Sequence, residues 1–98
     1  MFLAEVVGTV VAPVQIPILD GKKLLVVRPL TPDGRPTAKT RIGIDVVGAG
    51  IGDRVLVLDE GNSGRQILGD PDAAVKTIIV GFVDYVELEG ELVYDHRA

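Results

Sequence analysis

Residues 45–65, which read DVVGAGIGDRVLVLDEGNSGR, are the stretch around which the rest of the chain is organised. Glycines alternate with other residues at positions 48, 50 and 52, and the apolar run VLVL follows at positions 55–58. Glycine lacks a Cβ, so this loop can take positive φ angles or bring one backbone close to another. The close approach could be to a phosphate, to another strand of the same chain, or to a neighbouring subunit. Which of the three applies decides the function.

The composition is that of one small β-rich domain, spanning residues 1–98. Of these residues 47% are hydrophobic, but the aromatic ones are only two phenylalanines and two tyrosines, so valine, isoleucine and leucine must form the core. The absence of cysteine excludes disulfides and thiolate metal sites. We find no signal-peptide pattern and no apolar run near the about 18 residues of a membrane span. The sequence therefore predicts a cytoplasmic protein with no membrane partner.

The net charge of −4 is unevenly distributed along the chain. Residues 22–54 contain seven basic and three acidic side chains, whereas residues 61–98 contain three basic and seven acidic ones. One interpretation is an ordinary solvated surface. The other is a head-to-tail pairing of subunits, in which opposite patches meet.

The apolar pattern predicts five main strands and one short helix. The strands are expected at residues 2–13, 23–30, 38–47, 54–59 and 75–88, with a small extra strand at 92–94. The helix is expected at residues 63–68, and tight turns at residues 31–36 and 89–91. In the third strand, Ile42, Ile44 and Val46 are predicted to point inward.

These elements favour an all-β fold, a five-stranded OB-like antiparallel barrel with one short helix and a small C-terminal strand extension. Strands of a small antiparallel barrel are usually apolar on one face only. Here the second, fourth and fifth strands are apolar on both faces, and the chain has no room for crossover helices. We therefore expect the outer faces to be buried against other subunits in an obligate oligomer.

Catalytic chemistry is not indicated by the sequence. The only histidine, His96, lies near the end of the chain, and no metal-ligand spacing is present, so we expect no enzyme activity, no metal and no cofactor. The glycine loop differs from a phosphate loop because it opens a strand, not a helix. Nucleic-acid binding is also not expected. Aromatic platforms are sparse, the net charge is negative, and only Arg28, Lys39, Arg41 and Arg54 could form a basic patch.

The chain resembles a known family, the EutN/CcmL vertex proteins of bacterial microcompartments and carboxysomes. The resemblance rests on GTVVA at residues 8–12, GKKLLVV at 21–27, DxVGAGxGDxVLV at 45–57, and PxAAV at 71–75 followed by IVGFVD at 79–84. Two departures are Gly64, where the family commonly has Ser-Ala-Arg, and Lys76, which interrupts a usually apolar stretch.

The resemblance implies a cyclic homopentamer at the five-fold vertices of a microcompartment shell, with hexameric and trimeric shell proteins as partners. It implies that a loop at the ring axis and subunit interface comprises Val47, Gly48, Ala49, Gly50, Ile51, Gly52 and Asp53. The loops at residues 15–22 and 32–39 are candidates for the shell-facing rim, where Arg35 and Lys39 would act. Two alternatives are a single-stranded nucleic-acid-binding OB module and a small metabolite-binding oligomer.

Overall fold

The computed structural model describes residues 1–11, 22–37, 39–59 and 77–97, and the account that follows concerns these residues. They form seven strands in the order β1 (Phe2–Val10), β2 (Lys23–Leu30), β3 (Arg41–Asp45), β4 (Arg54–Leu58), β5 (Ile78–Phe82), β6 (Tyr85–Leu88) and β7 (Glu91–Asp95). In this part of the chain there is no helix long and apolar enough to cross a membrane. The predicted helix at residues 63–68 lies outside the described residues.

Five strands close into a barrel in the order β1-β2-β3-β5-β4, and β4 pairs again with β1. Every pair is antiparallel except β3 with β5, which run parallel. The predicted five-stranded OB-like barrel is thus confirmed, with one parallel pair that the strand pattern did not indicate. Consecutive strands of the barrel alternate in direction, so β3 and β5 run the same way. They lie side by side because β4 pairs with β1 and β5 and not with β3.

The barrel interior is filled by aliphatic side chains. Cross-strand partners such as Ala4 with Val55 and Val6 with Val27 place their side chains together. Burying each valine, leucine or isoleucine contributes about 1.5–3 kcal/mol. The fully buried cluster consists of Ala4, Val6, Leu25, Val27, Ala49, Val55, Val57 and Ile79.

The predicted orientation of the third strand is wrong for Ile42 and Val46, whereas Ile44 is buried as predicted. Gly43 pairs with the buried Leu25, so the interior position on β3 belongs to glycine. A Cβ at Gly43 would lie 3.2 Å from Thr77 Cγ2 and 3.7 Å from Ile79 Cγ1, so larger residues there would crowd the interior. Ile42 therefore points outward and is 57% exposed, and Val46 is also exposed. The strand is also shorter than the predicted 38–47.

The outer faces of the strands are apolar for two reasons. The sequence suggested burial against other subunits, and the structure adds burial within the same chain. Ile44 pairs with Ile78, and Ile78 with Leu58; these three side chains are buried, although they lie outside the interior cluster. Part of the outer apolar surface is thus already buried within a single chain. Ile42 remains exposed, and exposed apolar side chains of this kind are the ones that another subunit would bury.

The predicted long fifth strand is interrupted at residues 83–84. There the Val83 amide donates to the Arg54 carbonyl over 3.0 Å and the His96 amide donates to the Asp84 carbonyl over 2.9 Å. The chain then leaves the barrel as a hairpin, β6–β7. Glu89 (φ 53°) and Gly90 (φ 83°) form its two-residue turn, and two positive φ angles in succession match the strand twist. The predicted turn and extra C-terminal strand are confirmed.

Candidate assembly surfaces

The glycine loop, residues 47–53, takes positive φ at two of its three glycines. Gly48 has φ 82° and Gly52 has φ 94°, whereas Gly50 is not in this region. A Cβ would meet nothing within 4 Å at Gly48 or Gly52, so the backbone conformation, not space, requires glycine there. At Gly50 neither backbone strain nor crowding requires glycine, since φ is not positive and a Cβ would lie 3.9 Å from Asp53 Oδ2, an ordinary contact distance.

Hydrogen bonds attach the glycine loop to strand β1. The Gly52 amide donates to the Val6 carbonyl (2.8 Å), and the Val6 amide donates to the Asp53 carbonyl (2.9 Å). Within the loop, the Gly50 amide donates to Asp53 Oδ2 over 2.8 Å. The close backbone approach inferred from the sequence is therefore seen between this loop and another strand of the same chain.

Buried and charged groups at the start of the loop fix its shape further. Asp45 Oδ1 accepts the amides of Val47 and Gly48, each at 3.1 Å. Lys23 Nζ donates to the Ala49 carbonyl over 2.6 Å, and the Ala49 side chain is fully buried in the barrel. Ile51, at the tip, is 69% exposed. The loop thus presents one apolar side chain from a rigidly held backbone.

The turn at residues 31–36 carries the first of the two predicted rim residues. The Thr31 hydroxyl donates to Asp33 Oδ1 and accepts the Arg35 amide, and Arg35 Nε lies 3.1 Å from Asp33 Oδ2. The hydrogen bond from Thr31, followed by those from Arg35 and the charge of Arg35, lowers the pKa of Asp33 below its ordinary value. Arg35 and Lys39 are both exposed, so each could contact another molecule.

Arg54 connects this turn to the C-terminal hairpin. Its guanidinium carbon lies 4.1 Å from the centroid of the Tyr94 ring, within the range of a cation–π contact. On the other side, a Cβ at Gly34 would be only 2.8 Å from Arg54 Nη2. The guanidinium therefore fits between turn and hairpin because position 34 has no side chain. The sequence analysis did not find this contact, since it depends on strands far apart in the chain.

A mostly apolar groove, which we call the β1–β4 groove, lies where the hairpin leaves the barrel. Leu3 and Leu56 are cross-strand partners outside the interior cluster and form its floor. Phe82 and Tyr85, which are 51% and 60% exposed, stand along it. Among the described residues, the groove is lined by Leu3, Leu56, Phe82, Val83, Asp84, Tyr85, Val86 and Glu87. Sequence analysis missed the groove, because the outward direction of Leu3 and Leu56 follows only from the strand register.

The described side chains do not assemble a cluster of metal ligands. Within residues 1–11, 22–37, 39–59 and 77–97, no three histidine, aspartate or glutamate residues come together as metal ligands. His96 is exposed at the end of the hairpin. The notable features are instead surfaces: a rigid loop with an apolar tip, a charged turn and an apolar groove.

Comparison with known families gives these surfaces a context. Residues 1–84 match the family described as ethanolamine utilisation protein EutN/carboxysome. The chain belongs to the EutN/CcmL family. The resemblance inferred from the glycine-loop motif is therefore confirmed.

Relatives of similar length share the family. The chain is 43% identical over 88 residues to the bacterial microcompartment shell vertex protein PduN of Salmonella typhimurium, covering 86% of this chain and 96% of that protein. It is 38% identical over 97 residues to the carboxysome shell vertex protein CcmL of a Synechocystis species, covering 99% and 96%.

Solved structures agree with the barrel. The structure of CcmL from Gloeobacter violaceus superposes with a TM-score of 0.89 at 28% identity and covers all of both chains. The pentameric microcompartment shell protein GrpN of Rhodospirillum rubrum superposes with a TM-score of 0.79 at 41% identity, over 90% of this chain and 99% of that one.

Proposed function

We propose that this protein is a structural shell protein whose homopentamer occupies the five-fold vertices of a bacterial microcompartment in the cytoplasm. The observation that carries the proposal is the match to shell vertex proteins over nearly the whole of both chains. It is supported by the likeness to GrpN, a shell protein described as pentameric. Large apolar side chains exposed on the single chain support the proposal, because assembly into a ring would bury some of them.

The function is then geometric and not enzymatic. A sheet of six-fold tiles is flat, and five-fold units at its corners allow it to curve and close. Hexameric and trimeric shell proteins are the neighbours that such a role requires. A ring of identical contacts is heterologous, so each chain must present two different surfaces that fit one another.

Within this ring we assign the glycine loop, Val47 to Asp53, to the axis and the turn-rich segment 32–39 to the rim. The loop is held by β1 and has glycine or alanine at four of its seven positions, which suits a place where several copies converge. Arg35 and Lys39 are exposed and charged, which suits a contact that must leave the free ring soluble. Ala49 is the loop residue that we do not expect to contact another chain at the axis, since its side chain is buried in its own barrel.

Two experiments test the function. Native mass spectrometry should give a particle of five times the 10.4 kDa chain mass, and a monomer at micromolar concentration would refute the ring. Deletion of the protein from cells that express its shell tiles should then leave elongated or unclosed shells. Shells that close normally with no other vertex protein present would refute the capping role.

A further inference from the structure

We propose that the β1–β4 groove of one chain receives the outer face of β2 and β3 of the next chain, centred on Ile42, and that this pairing forms the ring. The proposal rests on the pentamer proposed above and names the two surfaces that build it. The occupant of the groove is a second copy of this chain.

The groove supplies one half of the pairing. Its floor, Leu3 and Leu56, belongs to no interior contact cluster, and Phe82 and Tyr85 leave half or more of their surface exposed. Aromatic side chains that keep such exposure in a single chain are typical anchors of protein interfaces.

The outer face of β2 and β3 supplies the other half. Val26 and Ile42 are cross-strand partners whose neighbours in each strand, Leu25 and Gly43, face the interior. Their side chains therefore project outward together. Ile42 is 57% exposed, which is unusual for an isoleucine in mid-strand.

Ile42, the centre of the second surface, lies on the side of the barrel away from the β1–β4 seam, whereas Val26 lies on β2, which pairs with β1. In the closed order β1-β2-β3-β5-β4, strand β3 is separated from the β1–β4 seam by β2 in one direction and by β5 in the other. A chain that closes a ring must contact one neighbour on each of two sides. The groove and the Ile42 face have that arrangement.

The charges beside the two surfaces are complementary. The groove is bordered by Asp84 and Glu87, and no lysine or arginine is among the described residues that line it. Beyond Val26 on β2 stands the exposed Arg28, which forms no ion pair within the described residues; its cross-strand neighbour is Glu5. An apolar centre with opposite charges at its margin fixes the register of two docked surfaces. It also selects this copy-to-copy pairing over groove-to-groove contact, where acidic groups would face each other.

The test uses introduced cysteines, since the chain has none of its own. A chain with both Ile42→Cys and Tyr85→Cys is treated with a short thiol–thiol crosslinker and separated on a denaturing gel. We expect a covalent ladder that ends at five chains. Each single variant alone should give no ladder, and an equimolar mixture of the two should stop at covalent dimers, because only one intact cysteine pair can form between them.

The matched control replaces Tyr85→Cys by Val11→Cys, since Val11 is 97% exposed and follows β1 at the opposite end of that strand from the groove residue Leu3. No ladder is expected from Ile42→Cys with Val11→Cys. A second variant, Ile42→Asp, should raise the concentration at which the ring dissociates by at least about tenfold, with the monomer still folded by circular dichroism.

The outcomes separate this proposal from the proposed function. If the unmodified protein is a pentamer but the Ile42–Tyr85 pair gives no ladder, or the Val11 control crosslinks equally well, the assigned surfaces are wrong. An intact ring in Ile42→Asp would overturn them as well. If the unmodified protein is monomeric, the pentamer itself fails.

Discussion

At the scale of single residues, the glycines of this chain have different tasks. Gly34 combines a φ of 92° with an Arg54 side chain packed where its Cβ would be. Gly48 and Gly52 have positive φ in open space, and Gly50 has neither constraint. Replacing glycine by alanine at these four positions therefore tests positive φ with a close neighbour, positive φ alone, and neither of the two.

We predict that Gly34→Ala destabilises the protein by about 1–3 kcal/mol, because positive φ strains the backbone and the end of the flexible Arg54 side chain must shift. Gly48→Ala and Gly52→Ala should each cost about 1–2 kcal/mol from the backbone alone. Gly50→Ala, the matched control, should stay within about 0.5 kcal/mol. Urea denaturation at one fixed protein concentration measures all four. A cost at Gly50 equal to that at Gly48 would contradict the assignment.

Asp33 offers a test by titration. The hydrogen bond from Thr31 is the largest cause that lowers the pKa of Asp33 below 3.8. We expect Thr31→Val to raise this pKa in a carboxyl-carbon NMR titration. Asp95, whose pKa is lowered mainly by the Arg97 amide, is an internal control that should not move.

The sign of the accompanying stability change follows from the lowered pKa. Because the folded state favours the charged Asp33, any stabilisation is complete above the ordinary value of 3.8 and is lost as the pH falls through the lower folded value. The Thr31→Val protein should therefore differ least from the unmodified protein at the acid end. An unchanged Asp33 pKa in the variant would show that the hydroxyl is not the cause.

At the scale of elements, the C-terminal hairpin is attached to the described part of the barrel by few polar contacts. The Val83 amide binds the Arg54 carbonyl just before the hairpin begins, and the Arg54–Tyr94 contact joins β7 to the start of β4, whereas the His96–Asp84 bond closes the base of the hairpin itself. The hairpin forms its own two-stranded sheet and is not hydrogen-bonded into the barrel. A two-stranded hairpin alone is marginally stable, so its order depends on these attachments.

We predict that Arg54→Gln speeds amide hydrogen exchange in residues 85–95 by about two- to thirty-fold, the range that corresponds to loss of one cation–π contact. Arg41→Gln is the control, because Arg41 contacts Phe2 and Asp59 and not the hairpin. Equal protection in the Arg54 variant would mean that the backbone bonds alone hold the hairpin.

Sequence analysis predicted elements better than orientations. The bounds of β2 and the two turns came from local chemistry, namely an apolar run between glycine and proline and the pairs Asp-Gly and Glu-Gly. The inward face of β3 was assigned wrongly, because a small glycine occupies the interior position and isoleucine the exterior one. No local pattern reports that choice, since it depends on the space that Leu25 and Ile79 leave in the assembled barrel.

The candidate surfaces were likewise predicted where local sequence determines them and missed where distant strands combine. The glycine loop was found from its motif, yet the sequence could not decide that its backbone contact is with β1. The groove and the Arg54 contact escaped prediction altogether, because each combines residues from strands that are distant in sequence.

At the scale of the whole molecule, the shell contact is proposed for the charged rim. We expect the double substitution Arg35→Glu and Lys39→Glu to reduce incorporation into shells several-fold while leaving the pentamer intact. Both side chains are exposed, and within the part of the chain that the structure describes they form one ion pair, the solvent-exposed one of Arg35 with Asp33. The neutral pair Arg35→Gln and Lys39→Gln, the control for lost charge alone, should have a smaller effect. Full incorporation of the charge-reversed ring would remove both residues from the rim.

The parallel pairing of β3 with β5 has a consequence for the order of events during synthesis. Strands β1, β2 and β3 can pair as soon as they leave the ribosome, since each neighbour follows the last. β3 and β4 both keep an open edge until β5 arrives, and the same late segment supplies Phe82 and Tyr85 to the groove. A nascent chain therefore has no complete groove before Glu87 has been made. If the groove is the docking surface, ring formation begins only from chains that extend past this residue, and a shorter nascent chain cannot block a growing ring.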